Sequence, residues 1–155
     1  MELKQAQAVA QEIIGRVAPY CERIEVAGSI RRGKPQCKDI DIVLIPKSQG
    51  KLAGELMAMG RLKSGGSKII HLEYKGTQVD FYLADERSWA TLLLIRTGSW
   101  QHNTRLATLA KRKGWHLCVD GRGLLNERGE RIAGDSEESF FQALGLPYLE
   151  PAERE

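Results

Sequence analysis

The sequence predicts an α+β fold, and three observations support this class. Apolar residues recur at helical spacing near the start of the chain, alternate with polar residues in several segments of the first half, and lie between helix-capping residues in the second half. With 155 residues and 42% hydrophobic content, the chain can bury a core. We expect a sheet-containing part over residues 1–96 and a helical part with a small sheet over residues 97–155.

The first half is predicted to begin with a helix and to continue mainly as strands. Residues 1–20 carry an apolar stripe at helical spacing, which ends at Pro19. Alternation of apolar and polar side chains predicts strands over residues 23–27 and 38–45, and two more strands are expected over residues 68–74 and 78–83. A short helix is expected over residues 50–60, and residues 75–77 are expected to form a hairpin turn.

The second half is predicted to be mainly helical. The apolar segment 86–96 indicates a buried helix that ends at the break Thr97-Gly98-Ser99. Ser99 then caps a basic amphipathic helix that runs to about Lys113, and Gly114 ends this helix. Two short strands are expected to follow, over residues 115–119 and 123–126, and then a turn over residues 126–129. Ser136 is expected to cap a final helix over residues 137–144, and residues 146–155 are expected to form an extended tail.

Composition excludes several classes of protein. The three cysteines form neither a disulfide framework nor a CxxC pair, and the three histidines lack zinc-binding spacing. No apolar run approaches the roughly 20 residues that span a membrane, and the first residues lack the pattern of a secretory signal. We therefore expect a cytoplasmic chain with no membrane partner.

Charge is distributed unevenly along the chain. Residues 130–155 hold seven acids and two bases, which leaves 21 bases and 13 acids in the first 129 residues. A basic body of this kind favours a polyanionic partner such as nucleic acid.

Three aspartates stand out on the predicted strands. Asp39 and Asp41 are two residues apart, so their side chains share one face of a strand, where two ionised carboxylates repel each other unless a cation lies between them. Asp80 lies between Val79 and Phe81 on another strand. Carboxylates from two strands can hold two Mg²⁺ ions, which prefer oxygen ligands. The alternative, more common for a bare D-x-D, is an exposed strand face with Asp80 paired to a lysine.

A glycine-serine turn precedes these carboxylates. Gly28 and Ser29 follow a predicted strand, and glycine lets the backbone approach a phosphate closely while N–H groups at a helix start point at the anion. Arg32 can bind phosphate oxygens with two parallel hydrogen bonds. Taken alone, the segment could equally be a turn with a solvated basic run.

Together these motifs resemble those of the nucleotidyltransferases, and in detail those of the family X, or polymerase beta-like, DNA polymerases. Ala-Gly-Ser-Ile-Arg-Arg-Gly-Lys at residues 27–34, followed by Asp-Ile-Asp, resembles the family signature G-S…D-x-D. Val79-Asp80 resembles the third-carboxylate strand, Thr97-Gly98-Ser99 the hinge, and residues 143–155 the thumb terminus. The resemblance spans nearly the whole chain and implies a palm with a mixed sheet, followed by a small helical and β thumb.

The resemblance implies roles for the matching residues. Three carboxylates would carry the catalysis and hold two Mg²⁺ ions, with Mn²⁺ as an alternative ion: Asp39, Asp41 and Asp80. Another group would bind the triphosphate, the sugar and the base of the incoming nucleotide: Gly28, Ser29, Arg32, Gly98 and Asn103. Arg31 is expected to support the loop rather than touch substrate.

The sequence departs from the family pattern at several places. The family's amino-terminal lyase domain has no match, so we expect no lyase activity. The hinge carries Ile95-Arg96 instead of the usual Tyr-Phe pair that helps to exclude ribonucleotides, and Arg96 is expected to contact a phosphate or the primer. Ala107 stands where the beta enzyme has a template-contacting arginine, and Arg105 is a poor replacement because it faces another side of the helix.

Other residues of this helix leave two interpretations open. Trp100 either stacks on the incoming base or packs in the core or at the thumb hinge. The cations at the end of the helix either complement its dipole or bind DNA phosphates. The candidate DNA contacts are therefore Arg96, Arg105, Lys111 and Arg112.

The leading hypothesis is a DNA-directed DNA polymerase that acts in repair, as a monomer, on a DNA primer-template with dNTP as its second substrate. Two alternatives remain: a template-independent or ribonucleotide-tolerant nucleotidyltransferase, and a DNA-binding module that has lost catalysis.

Overall fold

A computed structural model describes the whole chain, residues 1–155, and confirms the α+β class. The first half contains these elements in order: α1 (Leu3–Val17), β1 (Cys21–Val26), α2 (Gly28–Arg31), β2 (Ile40–Pro46), α3 (Gln49–Met59), β3 (Arg61–Gly65), β4 (Ile69–Tyr74), β5 (Thr77–Leu83) and α4 (Trp89–Thr97). The second half contains α5 (Trp100–Arg112), β6 (His116–Cys118), β7 (Gly123–Leu125), β8 (Arg131–Ala133) and α6 (Glu137–Ala143). None of the helices combines the length and the apolar composition of a membrane span.

The larger sheet has the strand order β1-β2-β5-β4-β3. Strands β2 and β5 are parallel, and the other neighbouring pairs are antiparallel. Helices α1 and α3 cover one face of β2, at Ile40, Ile42 and Leu44, while α4 covers the other face, at Val43 and Ile45. Because side chains alternate between the two faces of a strand, Asp41 lies on the face that carries α4.

Helix α4 joins the two halves because it is buried on both sides. Trp89, Leu92 and Leu93 pack against the larger sheet. Ala90, Leu94 and Ile95 belong instead to the core of the second half, which also holds apolar side chains of α5, of the small β6-β7-β8 sheet and of α6. The two cores therefore meet at α4, and the break after this helix leads into α5 of the second core.

Two strands, β3 and β8, are not predicted by the sequence. Strand β3 lies at the edge of its sheet and four of its five residues are exposed, so no alternation of apolar side chains marks it. Strand β8 has three residues and pairs only with β7. The predicted strand 38–45 begins instead at Ile40, which leaves Asp39 in a bend just before it.

The tail differs from the predicted extended segment. It forms a short 3-10 helix over Pro151–Glu153, and the side chain of Arg154 is completely buried. Its charge is met by Glu137 of α6, at 2.7 Å. Sequence patterning does not reveal this contact, because an arginine among charged tail residues is normally solvated.

Candidate active site

The Gly28–Arg31 turn, helix α2, lies directly against β2. The Ala27 N–H donates to the carbonyl oxygen of Asp41, at 2.8 Å. Gly28 has a φ of +62°, and a Cβ atom at this position would collide with the Asp41 carboxylate. A glycine is therefore required here both by the backbone conformation and by the close approach of the carboxylate. The turn and the D-x-D segment form one unit.

Two of the three predicted carboxylates are direct neighbours. Asp41 on β2 and Asp80 on β5 are register partners across a parallel strand pair, so their side chains lie on the same face of the sheet. The Tyr82 hydroxyl donates to Asp41 Oδ1 at 3.2 Å. Asp80 Oδ1 lies 2.6 Å from His71 Nδ1, and Gln78 Nε2 donates to the same oxygen at 3.1 Å. The side chain of Asp80 is thus oriented by two neighbours.

The electrostatics of this pair are unfavourable without a counter-ion. Burial raises the pKa of Asp41 to about 6, and the negative charges of Asp80 and Asp39 raise it as well, while the Tyr82 hydrogen bond and Arg96 oppose the increase. The nearby protein groups therefore do not fully compensate the Asp41 charge. The half-buried carboxylate of Asp41 and the buried carboxylate of Asp80, with Asp39 at their edge, match the oxygen ligands that Mg²⁺ prefers.

The side chains do not form a complete coordination group in their present arrangement. No three histidine, cysteine, aspartate or glutamate side chains lie close enough together to hold one metal ion. Asp80 is turned toward His71 and Gln78. The side chains of Asp39, Asp41 and Asp80 would have to rotate before all three could bind one ion. Their carboxylate oxygens are nevertheless the kind of ligand that a hard divalent cation prefers.

A cleft of about 730 Å³ opens over the Gly28 turn. It is bounded by the turn, by β2 and by the start of α5. Nine of the predicted site residues line it: Gly28, Ser29, Arg32, Asp39, Asp41, Arg96, Gly98, Trp100 and Asn103. Asp80 is only 7% exposed and lies beside Asp41 rather than in the cleft wall.

The far wall of the cleft is formed by the break between α4 and α5. Arg32 reaches across to it and donates through Nη1 to the carbonyl oxygen of Thr97, at 2.5 Å. Ser99 caps α5 as predicted, because its Oγ accepts from the His102 N–H at 3.2 Å. Asn103 donates through Nδ2 to the Ile95 carbonyl, at 2.8 Å, and its buried Oδ1 has no partner.

Trp100 is 75% exposed at the first position of α5. The interpretation that it packs in the core is therefore wrong, while stacking on a base and packing at the thumb hinge both stay predictions. His102, in contrast, is buried, and its ring centroid lies 5.7 Å from the ring centroid of Phe141. Burial lowers the pKa of His102 to about 4, so it is neutral at neutral pH and does not reach the surface to touch DNA.

The predicted DNA contacts do not share one surface. The Arg96 guanidinium lies over the Tyr82 ring, 4.2 Å from its centroid, and faces the cleft. Arg105, Lys111 and Arg112 are exposed but do not line the cleft. Since residues 100, 104 and 107 of α5 face the cleft, helical spacing places Lys111 on the same side, and Arg105 and Arg112 on another.

Several contacts of the site were missed by sequence reasoning. His71 contacts Asp80, although the spacing of the three histidines gave no sign of a functional role. Tyr82 contacts Asp41. This contact could have been anticipated, because Tyr82 is two residues after Asp80 and the two side chains therefore lie on the same face of the strand. Arg31 does support the loop, since it pairs with Glu137 at 2.7 Å, and no local pattern indicates that partner.

Comparisons with known proteins agree with this architecture. A family model described as DNA polymerase beta thumb matches residues 92–155. The chain is 31% identical to the DNA polymerase/3'-5' exonuclease PolX of Bacillus subtilis, over 97% of this chain and 28% of that protein. It is 27% identical to DNA polymerase lambda of Rattus norvegicus, over 83% of this chain and 28% of that protein.

A solved structure of Leishmania infantum polymerase beta, described as a ternary P/T complex, is similar in fold, with a TM-score of 0.84 and 20% identity; the match covers 100% of this chain and 76% of that one. The chain spans between 28% and 39% of the length of the curated relatives it matches. Residues 92–155 are therefore similar to the thumb of DNA polymerase beta, and the chain is similar to family X DNA polymerases along nearly all of its own length.

Proposed function

We propose that this chain is a DNA-directed DNA polymerase that transfers nucleotides from dNTP to a primer 3′-hydroxyl, in DNA repair, with residues 1–96 as palm and 97–155 as thumb. The observation that carries the proposal is the pairing of Asp41 with Asp80 beside Gly28. This puts uncompensated carboxylates next to a turn whose backbone is free to approach a phosphate. Phosphoryl transfer needs these two features together.

The roles of the residues follow from their positions. Asp39, Asp41 and Asp80 would hold two Mg²⁺ ions, which supply Lewis-acid activation and charge neutralisation during phosphoryl transfer. Ser29 and Arg32 bind the triphosphate from the floor of the cleft. Asp80, oriented by His71 and Gln78, offers a carboxylate oxygen to the primer 3′-hydroxyl, and it either accepts the hydroxyl proton or positions the hydroxyl group.

A second groove supports a polyanionic partner. It has a volume of about 1090 Å³ and shares Tyr82, Arg96 and Val119 with the cleft. Two acids line it, Asp85 and Asp120. Five cations line it: Lys68, Arg87, Arg96, Arg122 and Arg131. A nucleic acid strand that leaves the cleft along this groove would meet a positive surface.

Primer extension tests the proposal. The chain is incubated with Mg²⁺ or Mn²⁺, one dNTP at a time, and a recessed primer-template. We expect incorporation of the complementary nucleotide only, and loss of incorporation with a chelator. Tight DNA binding without incorporation under either metal ion would instead favour a DNA-binding module.

An altered hinge favours a second candidate function, a template-independent or ribonucleotide-tolerant transferase. Ile95 and Arg96 line the cleft where the family carries an aromatic pair, and Arg96 is held against Tyr82 rather than at the sugar. Comparing blunt, recessed and single-stranded ends with dNTP and rNTP separates the candidates. Equal use of both sugars at a recessed end would support ribonucleotide tolerance, and incorporation at single-stranded ends would support template independence.

Trp100→Ala tests base stacking. Base–aromatic stacking is worth about 1–3 kcal/mol, so we expect the KM for dNTP to rise by about tenfold, since each ~1.4 kcal/mol is a factor of ten. The melting temperature should not change, because the indole is exposed. Met57→Ala, which removes another exposed apolar side chain far from the cleft, is the matched control. An unchanged KM in the Trp100 variant would contradict stacking.

A further inference from the structure

Arg154 is the most deeply buried charged side chain of the protein, and every nitrogen of its guanidinium has a partner. Nη1 donates to Glu137 Oε2 at 2.7 Å, Nη2 to the Tyr148 hydroxyl at 3.1 Å, and Nε to the Leu149 carbonyl at 3.0 Å. The group also lies 5.4 Å from the ring centroids of both Phe141 and Tyr148. Its position is therefore fixed on all sides.

Glu137 connects Arg154 to the first half of the chain. Arg31 donates two hydrogen bonds to the same carboxylate, from Nη2 to Oε1 at 2.7 Å and from Nη1 to Oε2 at 2.9 Å. Arg31 Nη1 also donates to the Thr97 hydroxyl at 2.8 Å. One buried carboxylate thus joins two guanidinium groups that are more than 100 residues apart in sequence. We call Arg31, Glu137 and Arg154 the arginine clamp.

The arginine clamp ends at the wall of the cleft. Arg31 is the last residue of α2, whose first two residues, Gly28 and Ser29, line the cleft, as does Arg32 after it. On the opposite side, the Arg154 carbonyl accepts from the N–H of Ser99, the capping residue of α5, at 3.3 Å. Arg154 therefore contacts the start of α5 directly and is connected to the Gly28–Arg31 turn through Glu137 and Arg31.

We propose that Arg154 is a positioning residue for nucleotide binding, which acts through Glu137 and Arg31 to hold the Gly28–Arg31 turn in the conformation that receives the triphosphate. This rests on the proposed function. Loss of Arg154 leaves Glu137 buried with one partner instead of two, and the Arg31–Glu137 pair can then move as a unit. The turn loosens, although no atom of Arg154 touches the nucleotide.

The competing explanation is that the clamp only stabilises the second half of the fold. In that case Arg154→Met lowers the melting temperature but leaves nucleotide affinity unchanged at temperatures well below unfolding. The two explanations therefore differ in a binding measurement on folded protein. Arg128→Met, at an exposed turn, is the matched control for loss of one arginine.

The test combines nucleotide binding with hydrogen exchange. The dissociation constant for dNTP is measured by calorimetry with Mg²⁺ for the parent chain, Arg154→Met, Arg154→Lys, Arg31→Met and the Arg31→Met/Arg154→Met double variant. We expect dNTP binding to be about tenfold weaker in Arg154→Met than in the parent chain, and part of this affinity to be recovered in Arg154→Lys. The double variant should bind dNTP no more weakly than Arg31→Met alone, because Arg31 and Arg154 both act through Glu137. In primer extension, KM should rise while kcat changes less than about threefold.

Hydrogen exchange at residues 28–33 gives a second readout that needs no ligand. We expect faster exchange there in Arg154→Met and Arg154→Lys than in the parent chain or Arg128→Met. Parent-like affinity and exchange in folded Arg154→Met, or additive losses in the double variant, would overturn the proposal. If the parent chain binds no dNTP, the proposed function fails, and exchange at residues 28–33 alone then decides whether the clamp holds the turn.

Discussion

Asp41→Asn should abolish nucleotide incorporation and at the same time make the metal-free chain more stable. The loss of activity follows because the substitution removes one of the proposed metal ligands, at a place where two neighbouring strands present Asp41 and Asp80 side by side. A catalytic metal ion contributes several kcal/mol to transition-state stabilisation, so we expect incorporation to fall by about a thousandfold or more. Single-turnover incorporation with saturating Mg²⁺ measures it.

The gain in stability follows from the direction of the pKa change. The pKa of Asp41 is raised to about 6 in the folded chain, from 3.8, by burial first and then by the charges of Asp80 and Asp39. The folded state therefore disfavours the ionised form, and stability is lost as the pH rises from about 4 through about 6. Asparagine removes this cost, and we expect a gain of roughly 1–3 kcal/mol at pH 7 in the presence of a chelator.

The pH dependence gives this prediction its own control. The stability difference between Asp41→Asn and the parent chain should shrink toward zero near pH 4, where the parent carboxyl is largely protonated in the folded state. Asp135→Asn, which removes only an ion pair between Arg131 and a 95% exposed carboxylate, should leave activity unchanged and should not raise stability. Equal or lower stability of Asp41→Asn at pH 7 would mean that the carboxylate is already compensated within the protein.

Gly28→Ala should damage both the fold and the activity. The backbone at Gly28 has a φ of +62°, and an added Cβ would run into the Asp41 carboxylate. Left-handed backbone costs a non-glycine residue about 1–2 kcal/mol, and the collision adds to this because Asp41 or the turn must move. We expect a destabilisation of about 2–4 kcal/mol, in the range of the larger single-residue effects. Incorporation should fall by at least about a hundredfold, since a misplacement of about 1 Å can cost that much.

Gly33→Ala is a matched control within the same loop. Gly33 also has a positive φ, +69°, but a Cβ there would meet no atom within 4 Å. This variant therefore measures the backbone strain alone, and the difference between the two variants measures the contact with Asp41. Thermal unfolding and single-nucleotide incorporation are compared for both. If the two variants behave alike, the close approach of Gly28 to Asp41 has no functional importance.

The order of elements was largely predictable because each depends on local signals. The apolar stripe of α1, the serine caps of α5 and α6 and the alternation of acidic and aliphatic residues at the start of β2 all appear in the sequence. Strands β3 and β8 gave no such signal, because an exposed edge strand is held by backbone hydrogen bonds that any side chains permit. The prediction of an extended tail was wrong for another reason, since the burial of Arg154 depends on Glu137 rather than on the composition of the tail.

For the candidate site, the residue types and their spacing are visible in the sequence: two aspartates two residues apart, a third before an apolar strand end, and a glycine-serine turn upstream. The packing of the whole chain shows in addition that Asp41 faces Asp80, that Tyr82 and His71 contact them, and that Arg154 is connected to the Gly28–Arg31 turn through Glu137. Spacing along a strand fixes which face a side chain occupies. Which strand lies next to it, and which distant charge meets it, depends on how the whole chain packs.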